Sequence, residues 1–528
     1  MAFNPKFYII GIVVSIIIFS LMFIYVWNFT VDDAFISFNY GLHLANGFGL
    51  VWNIGQPPTE GYTNFLWVLI IACLFLLKLD PVISTKLISL FSVVGIIILF
   101  WFISNDIFEN QENRYITFSV STIFFLINPL TAIHTVSGLE TMTYAFLLLG
   151  VVYVAWKTIL SPNSKFIWLF AFLALLLSLL RPEGILISLG LILSIIYVFY
   201  RNNKSIKINS LLPVLILYLL PILIYMIFTF SYFHELLPLS FLVKTIHGNS
   251  FSTISELLFA LTYIASFMLI ILISLFTRYQ RTESQNIKQN YKYFLFTLIL
   301  AVILADIVYM FTELIMNYGQ RFFYPSFVLF YIAFGIAISI ILNEINNNVN
   351  KKLLKNTTRM ILYSFIVLLL LIPDSSFLTD LNNAHDYGNS LNQANIALGK
   401  ALTQFSKDDY TVASSDAGAI TYFSRWNQLD MDGLNDKFIA DHGVAPITYV
   451  ETKNPELVIL ATYGNPSDIV VGSYDQPFYN FVLEKNYIKL DPIKFNDFYY
   501  LIPFLNPNIK DFNSIKNSLE NVSKESNS

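Results

Sequence analysis

The chain has 528 residues, of which 56% are hydrophobic and 12% charged, and its mean hydropathy is +0.62. Soluble globular chains are nearer a quarter charged, so these values exclude a soluble protein and predict a polytopic α-helical membrane protein. A net charge of −4 gives no support to a nucleic-acid partner, and one cysteine, Cys73, excludes an internal disulfide or a cysteine metal cluster.

In chain order, apolar runs lie at about 7–29, 64–78, 83–104, 115–133, 141–156, 166–180, 184–200, 211–230, 257–276, 292–312, 322–342 and 359–373. Run 7–29 is too long for a signal-peptide core and no small-x-small site follows it, so it is expected to stay as a helix. After about residue 374 the chain turns polar, with strand and turn signals such as "YTVASSDAG" and "PELVILAT". The predicted domains are therefore 1–373, in the membrane, and 374–528, a small soluble α/β domain ending in a disordered, Ser/Asn/Lys-rich tail.

Basic residues fix the sidedness. One set of loops carries Lys157 and Lys165; Arg201, Lys204 and Lys207; Arg278, Arg281, Lys288 and Lys292; Lys351, Lys352, Lys355 and Arg359. The alternate loops carry mainly Arg181, Lys244 and Arg321. The first set is expected in the cytoplasm, with Lys6 placing the N-terminus inside and the C-terminal domain outside. An inside start and an outside end require an odd number of spans. Run 64–78 has about 13 apolar residues where spanning needs about 20, and it follows a Pro/Gly-containing polar loop. About 11 transmembrane helices remain, and the first outer loop covers about 30–82 with an embedded or interfacial helix at 64–78.

This topology gathers the charges at the outer surface: Asp32, Asp33, Glu60, Glu140, Arg181, Glu183, His234, Glu235, Lys244, Glu313 and Arg321. Within the spans only Asp306 stands out. A transporter or flippase of lipid-linked sugars would place its ionisable groups near the midplane. An outer-face site instead suits chemistry between a lipid-borne substrate and a polar acceptor.

Each residue also has a plainer reading. Asp32 or Asp33 could cap the helix "AFISFNYGLHLA", expected to lie amphipathic on the interface. One cap leaves the other acid to explain. Glu140 suits the dipole of the span it begins. "RPEG" at 181–184 is a helix start, so Glu183 reads as structural. Asp416 and Asp432 read as turn formers. Trp52, Tyr62 and Trp67 could stack on sugar, line a lipid groove or form an interfacial belt. No Walker loop, G-x-S-x-G or H-E-x-x-H occurs, and the six histidines are scattered.

"DDAFISFNYGLHLANGFGLVWNIGQPPTEGYTNFLW", placed just after the first span, resembles the opening loop of bacterial arabinofuranosyltransferase-like proteins within the GT-C superfamily of membrane glycosyltransferases. "SGLETM", "LLRPEG", "FHELLPLSFLVK", "GQRFFYP" and "SSDAGAITYFSRWNQLDMDGLND" continue the likeness in order. It departs at Asn39, where an Arg is usual, and at Leu239, where an Asn is usual. The resemblance implies a polyprenyl-phosphate-sugar donor, a site on the outer face of the bacterial cytoplasmic membrane, and a second acid in the second outer loop, which Glu140 matches. The acceptor would be a cell-envelope glycan, a lipid or a protein.

The residues support a mechanism for such a reaction. Asp33 or Asp32 takes the acceptor's proton. Two close carboxylates need a compensating cation. A divalent metal ion (Mg, Mn or Ca) held by Asp33 and Glu140 would supply one. Lys244, Arg321 and Arg181 are candidates for the donor phosphate, with His234, Glu235, Glu60 and Tyr62 for substrate binding. A sugar phosphate leaves readily, so no nucleotide cofactor is expected. An outer-face glycan polymerase or ligase is the remaining alternative.

Overall fold

The computed structural model describes residues 5–161, 165–201, 211–246, 285–311, 314, 316–348, 375–466, 469, 472 and 475–527. Predicted spans 257–276 and 359–373 lie outside them. Among the described residues, seven helices are long and apolar enough to cross a membrane. They include α1 (Pro5–Tyr25), α4 (Pro81–Ile107), α7 (Thr141–Leu160) and α9 (Glu183–Arg201). The other three are Leu212–Phe233, Gln285–Ile307 and Tyr324–Asn348. The short apolar helix α8 (Phe166–Leu180) packs among them.

Between α1 and α4 lie α2 (Asp32–Ala45) and α3 (Phe65–Leu76). Twelve residues rise only about 18 Å, too little for the hydrocarbon core of about 30 Å. The helix at 64–78 therefore does not span. It packs along α2, so closely that a Cβ on Gly41 would lie 2.5 Å from Ile71.

Two expectations are corrected. Run 115–133 is not one straight span: α5 (Gln111–Ile127) and α6 (Pro129–Val136) meet at a 64° bend. Asn128 makes the break, its side chain capping the Leu130 amide at 2.9 Å while Pro129 starts α6. Helix α2 is not a half-exposed interfacial helix. Phe35, Ile36, Phe38, Asn39 and Tyr40 are all buried, and neither aspartate caps it; Val31 is the N-cap residue.

In the C-terminal region, β1 (Thr411–Ser414), β2 (Asn427–Asp430), β3 (Leu457–Tyr463), β4 (Ile488–Lys489), β5 (Ile493–Lys494) and β6 (Tyr499–Leu505) form a sheet. Its order is β2-β1-β3-β6-β4, with β5 also on β6. β1 is parallel to β2 and β3; β6 is antiparallel to β3. Alternate residues of β3 feed two cores. Leu457 and Ile459 face one, Val458 and Leu460 the other.

The tail expected to be disordered is the helix Phe512–Asn527. Ile515, Leu519 and Val522 recur at helical spacing and are buried in the first of these cores. Polar composition hid a three-residue apolar stripe.

The outer loop and the sheet domain are joined by polar pairs. Asn53 and Gln428 exchange two hydrogen bonds of 2.9 Å. Phe35 packs on Tyr422 and Phe423. Gly418 approaches so near that a Cβ there would lie 2.0 Å from the Asp32 carbonyl oxygen.

Candidate active site

The adjacent aspartates at the start of α2 face different partners. Asp32 is buried, and its two carboxylate oxygens accept the backbone amides of Gly418 at 2.9 Å and Ala419 at 2.8 Å. It ties the first loop to the sheet domain. Asp33 is paired with Arg321, whose Nη2 donates to Oδ2 at 2.9 Å.

Asp33 lines a cavity at the ends of the apolar helices with Tyr62, Asn64, Glu140, Arg181 and Arg321. Each is set by local structure. Gly138, at φ +78°, makes the turn before Glu140, and its carbonyl accepts from Trp67 Nε1 at 3.2 Å. That turn lies against α2, where a Cβ on Gly138 would come within 3.0 Å of Ala34. Glu140 Oε2 then accepts from Asn64 Nδ2 at 2.8 Å, and Asn64 Oδ1 accepts from Ser37 at 3.1 Å. Arg181 ends α8, buried, with Nε 2.7 Å from Glu183 and 3.7 Å from Glu140. Tyr309 donates to Glu183. Phe322 stacks between the two guanidinium groups, 5.2 Å from Arg181 and 4.8 Å from Arg321.

Other sequence candidates go elsewhere. Glu60 is buried, accepts from Tyr225 at 3.3 Å, and burial pushes its carboxyl up to about 7. Glu235 pairs with Lys437 of the sheet domain and His234 is an exposed helix end at φ +60°. These three lie outside the cavity lining, whereas Tyr62 is in it. Trp52 and Trp67 are core residues, so neither forms an interfacial belt. Lys244 lies in the helix Leu239–Ile246, but its side chain is outside the described residues. Asp306 accepts from Ser326 at 2.7 Å.

The acids do not fit a divalent metal. Asp33 is engaged by Arg321, and Glu140 by Asn64 and Arg181. Among the described residues no group of three His, Cys, Asp or Glu could hold such an ion.

Sequence reasoning missed a second feature. On the side of the sheet domain Asp33 also lines a cleft of about 590 Å³ with Asp416, Asp432 and Asp475. Asp432 lies in the turn after β2, as expected, while Asp416 does more than shape its loop. Asp416 accepts from Asn395 at 2.9 Å and Tyr499 at 3.1 Å. Burial and the neighbouring Asp430 and Asp475 push the Asp432 carboxyl up to about 8 from the usual 3.8. Burial and Asp416 push Asp475 up to about 6.

These shifts fix the sign of a pH effect. Between about pH 4 and pH 8 the folded state holds protons that the unfolded state has lost. Stability is therefore greatest at the acid end and falls as pH rises through that window. The melting temperature of the purified protein is expected to drop from pH 5.5 to pH 8.5, and Asp432→Asn to flatten the drop. A wild-type melting temperature constant across that range would contradict it.

Residues 384–507 match a family model described as "Domain of unknown function (DUF8728)". Sequence comparison with curated proteins finds no match. Among solved structures, the crystal structure of ArnT from Cupriavidus metallidurans bound to undecaprenyl phosphate is similar at a TM-score of 0.59 and 10% identity, covering 95% of this chain and 98% of that one. Its apo state gives a TM-score of 0.57 at the same identity and coverage. The chain is therefore a multi-pass membrane protein with a fold like that of ArnT and a small C-terminal α/β domain.

Proposed function

We propose that this chain is a membrane glycosyltransferase that moves a sugar from a polyprenyl-phosphate donor to a glycan, lipid or protein acceptor of the cell envelope. In this reading it works at the outer face of the bacterial cytoplasmic membrane, N-terminus inside and C-terminal domain outside. The observation that carries the proposal is the Asp33–Arg321 pair, which lies between a cavity at the ends of the apolar helices and a cleft against the sheet domain. That position brings a base to where a lipid-borne donor and a water-borne acceptor would meet. The GT-C fold of ArnT, crystallised with undecaprenyl phosphate, supports the donor class.

Asp33 is the candidate catalytic base. It takes the acceptor hydroxyl proton as that oxygen bonds to the anomeric carbon. The anomeric carbon–oxygen bond to phosphate breaks, and both bonding electrons leave with the polyprenyl phosphate. Direct displacement from the opposite side would invert the anomeric centre. Asp32, held by two amides, acts as a positioning residue. No step runs through a metal ion or a nucleotide.

Arg321 is the better placed of the two arginines for phosphate. Arg181 is already shared between Glu183 and Glu140. Among the described residues the cavity lining sets three acids against two arginines, and Lys244 stays a candidate for the donor phosphate.

Undecaprenyl phosphate is expected to bind the purified protein, and Arg321→Ala to weaken it about 10-fold or more, as loss of a charged hydrogen bond of about 1.5–3 kcal/mol implies. Equal binding of undecaprenol and undecaprenyl phosphate would remove the phosphate site from the reading.

A further inference from the structure

The cleft against the sheet domain has features that sugar transfer at Asp33 does not use. It lies outside the carboxyl ends of the parallel strands. Asp416 follows β1, Asp432 follows β2, and Tyr463 ends β3. The strand order β2-β1-β3 means that successive connections leave β1 in opposite directions. Ligands of open α/β sheets bind in the crevice at such a switch point. The cleft also has the size of a small-molecule site.

Among the described residues its lining carries five aspartates, Asp32, Asp33, Asp416, Asp432 and Asp475, and no Lys, Arg or His. The charges feel one another: Asp33 acts on Asp416, and Asp416 acts on both Asp432 and Asp475. Among the described residues only Asp33 of these five has a basic ion-pair partner, Arg321, which reaches it from the cavity side.

A second observation points to a ligand. Asp475 is only 9% exposed, and its Oδ1 meets no hydrogen-bond donor among the described residues. The Oδ1 of Asn395, 1% exposed on the same wall, is likewise unmet. A buried carboxylate oxygen without a donor is destabilising, and a bound cationic donor would relieve that.

The lining also carries Tyr318, Tyr463 and Tyr499, the last donating to Asp416 at 3.1 Å. Aromatic faces attract organic cations and stack on sugar rings. A metal ion would need a tight oxygen cage, and no group of three acids among the described residues provides one.

We infer that this cleft is the acceptor subsite and that the acceptor it takes is an amine-bearing sugar or oligosaccharide, with the ammonium group among Asp416, Asp432 and Asp475 and a hydroxyl reaching Asp33. The inference rests on the transfer reading of Asp33, but its test does not need turnover.

The full-length protein in lipid nanodiscs is titrated with a glucosamine oligosaccharide and, separately, with its fully N-acetylated counterpart, which has the same rings without the charge. The amine form is expected to bind at least 10-fold tighter. That preference should disappear in Asp432→Asn and in Asp475→Asn, each verified as folded by its melting temperature. Magnesium or calcium chloride is the third arm, at constant ionic strength. Equal binding of the two oligosaccharides overturns the inference. So does displacement of the amine form by micromolar divalent ion, which would make the cleft a metal site. Undecaprenyl phosphate binding is measured in parallel: if it fails while the amine preference holds, the transfer reading falls and the cationic site stands.

Discussion

Replacing Asp33 by Asn is expected to lower the rate of sugar transfer by about 10²- to 10⁴-fold, the usual contribution of a positioned general base. The amide keeps the volume and can still accept a hydrogen bond from Arg321, so folding and donor binding should persist. Asp32→Asn provides the contrast. Its amide can accept only one of the Gly418 and Ala419 amides and presents a donor to the other. The expected result is a lower melting temperature and a smaller loss of rate. Single-turnover transfer and thermal unfolding, run on both variants, separate the two residues. Full activity in both would remove the mechanism.

Arg181→Ala carries the largest expected effect on stability. Glu140 and Glu183 are 6% and 5% exposed, and Arg181 is the cation that both face. Removing one partner of a buried pair costs about 3–5 kcal/mol, because the remaining charge stays buried without compensation. Here one arginine serves two acids, so the variant should fail to accumulate in the membrane or should melt far below the wild type. Arg181→Ala combined with Glu183→Gln should recover part of the loss. Normal stability of the single variant would mean that the two glutamates are held by other groups.

Much of the fold was legible because membrane spans are written in long apolar runs. All the predicted spans that fall on described residues meet apolar helices, and run 64–78 is a short helix packed on α2. The break at Asn128–Pro129 was also written in the sequence, as a capping residue before a proline, but apolar flanks on both sides masked it. The helix Phe512–Asn527 was missed for the opposite reason: its stripe is three residues wide in a polar segment, and only the sheet it covers makes it stable.

The site was legible where charge marked it. Asp33, Glu140, Arg181 and Arg321, spread over nearly 300 positions, converge on one cavity. Asn64 and Tyr309 carry no charge and stood out from nothing around them. His234 and Glu235 looked like their neighbours in the outer loop, yet point away from the cavity lining. The division of labour between Asp32 and Asp33 could not be read locally. Successive helical residues point about 100° apart, and which of them met the sheet domain depended on packing almost 400 residues downstream. The acidic cleft needed the sheet as well: paired strands β1 and β2 bring Asp416 and Asp432 together, and Asp475 joins them from the start of the helix Gln476–Glu484.

The most direct measurement uses proteoliposomes containing the purified protein and a polyprenyl-phosphate donor labelled in its sugar. Transfer at Asp33 predicts that label leaves the lipid, that one free polyprenyl phosphate appears for each sugar transferred, and that Asp33→Asn stops both. Movement of the intact labelled lipid across the bilayer, with its sugar–phosphate bond unbroken, would contradict a transferase and make the chain a transporter.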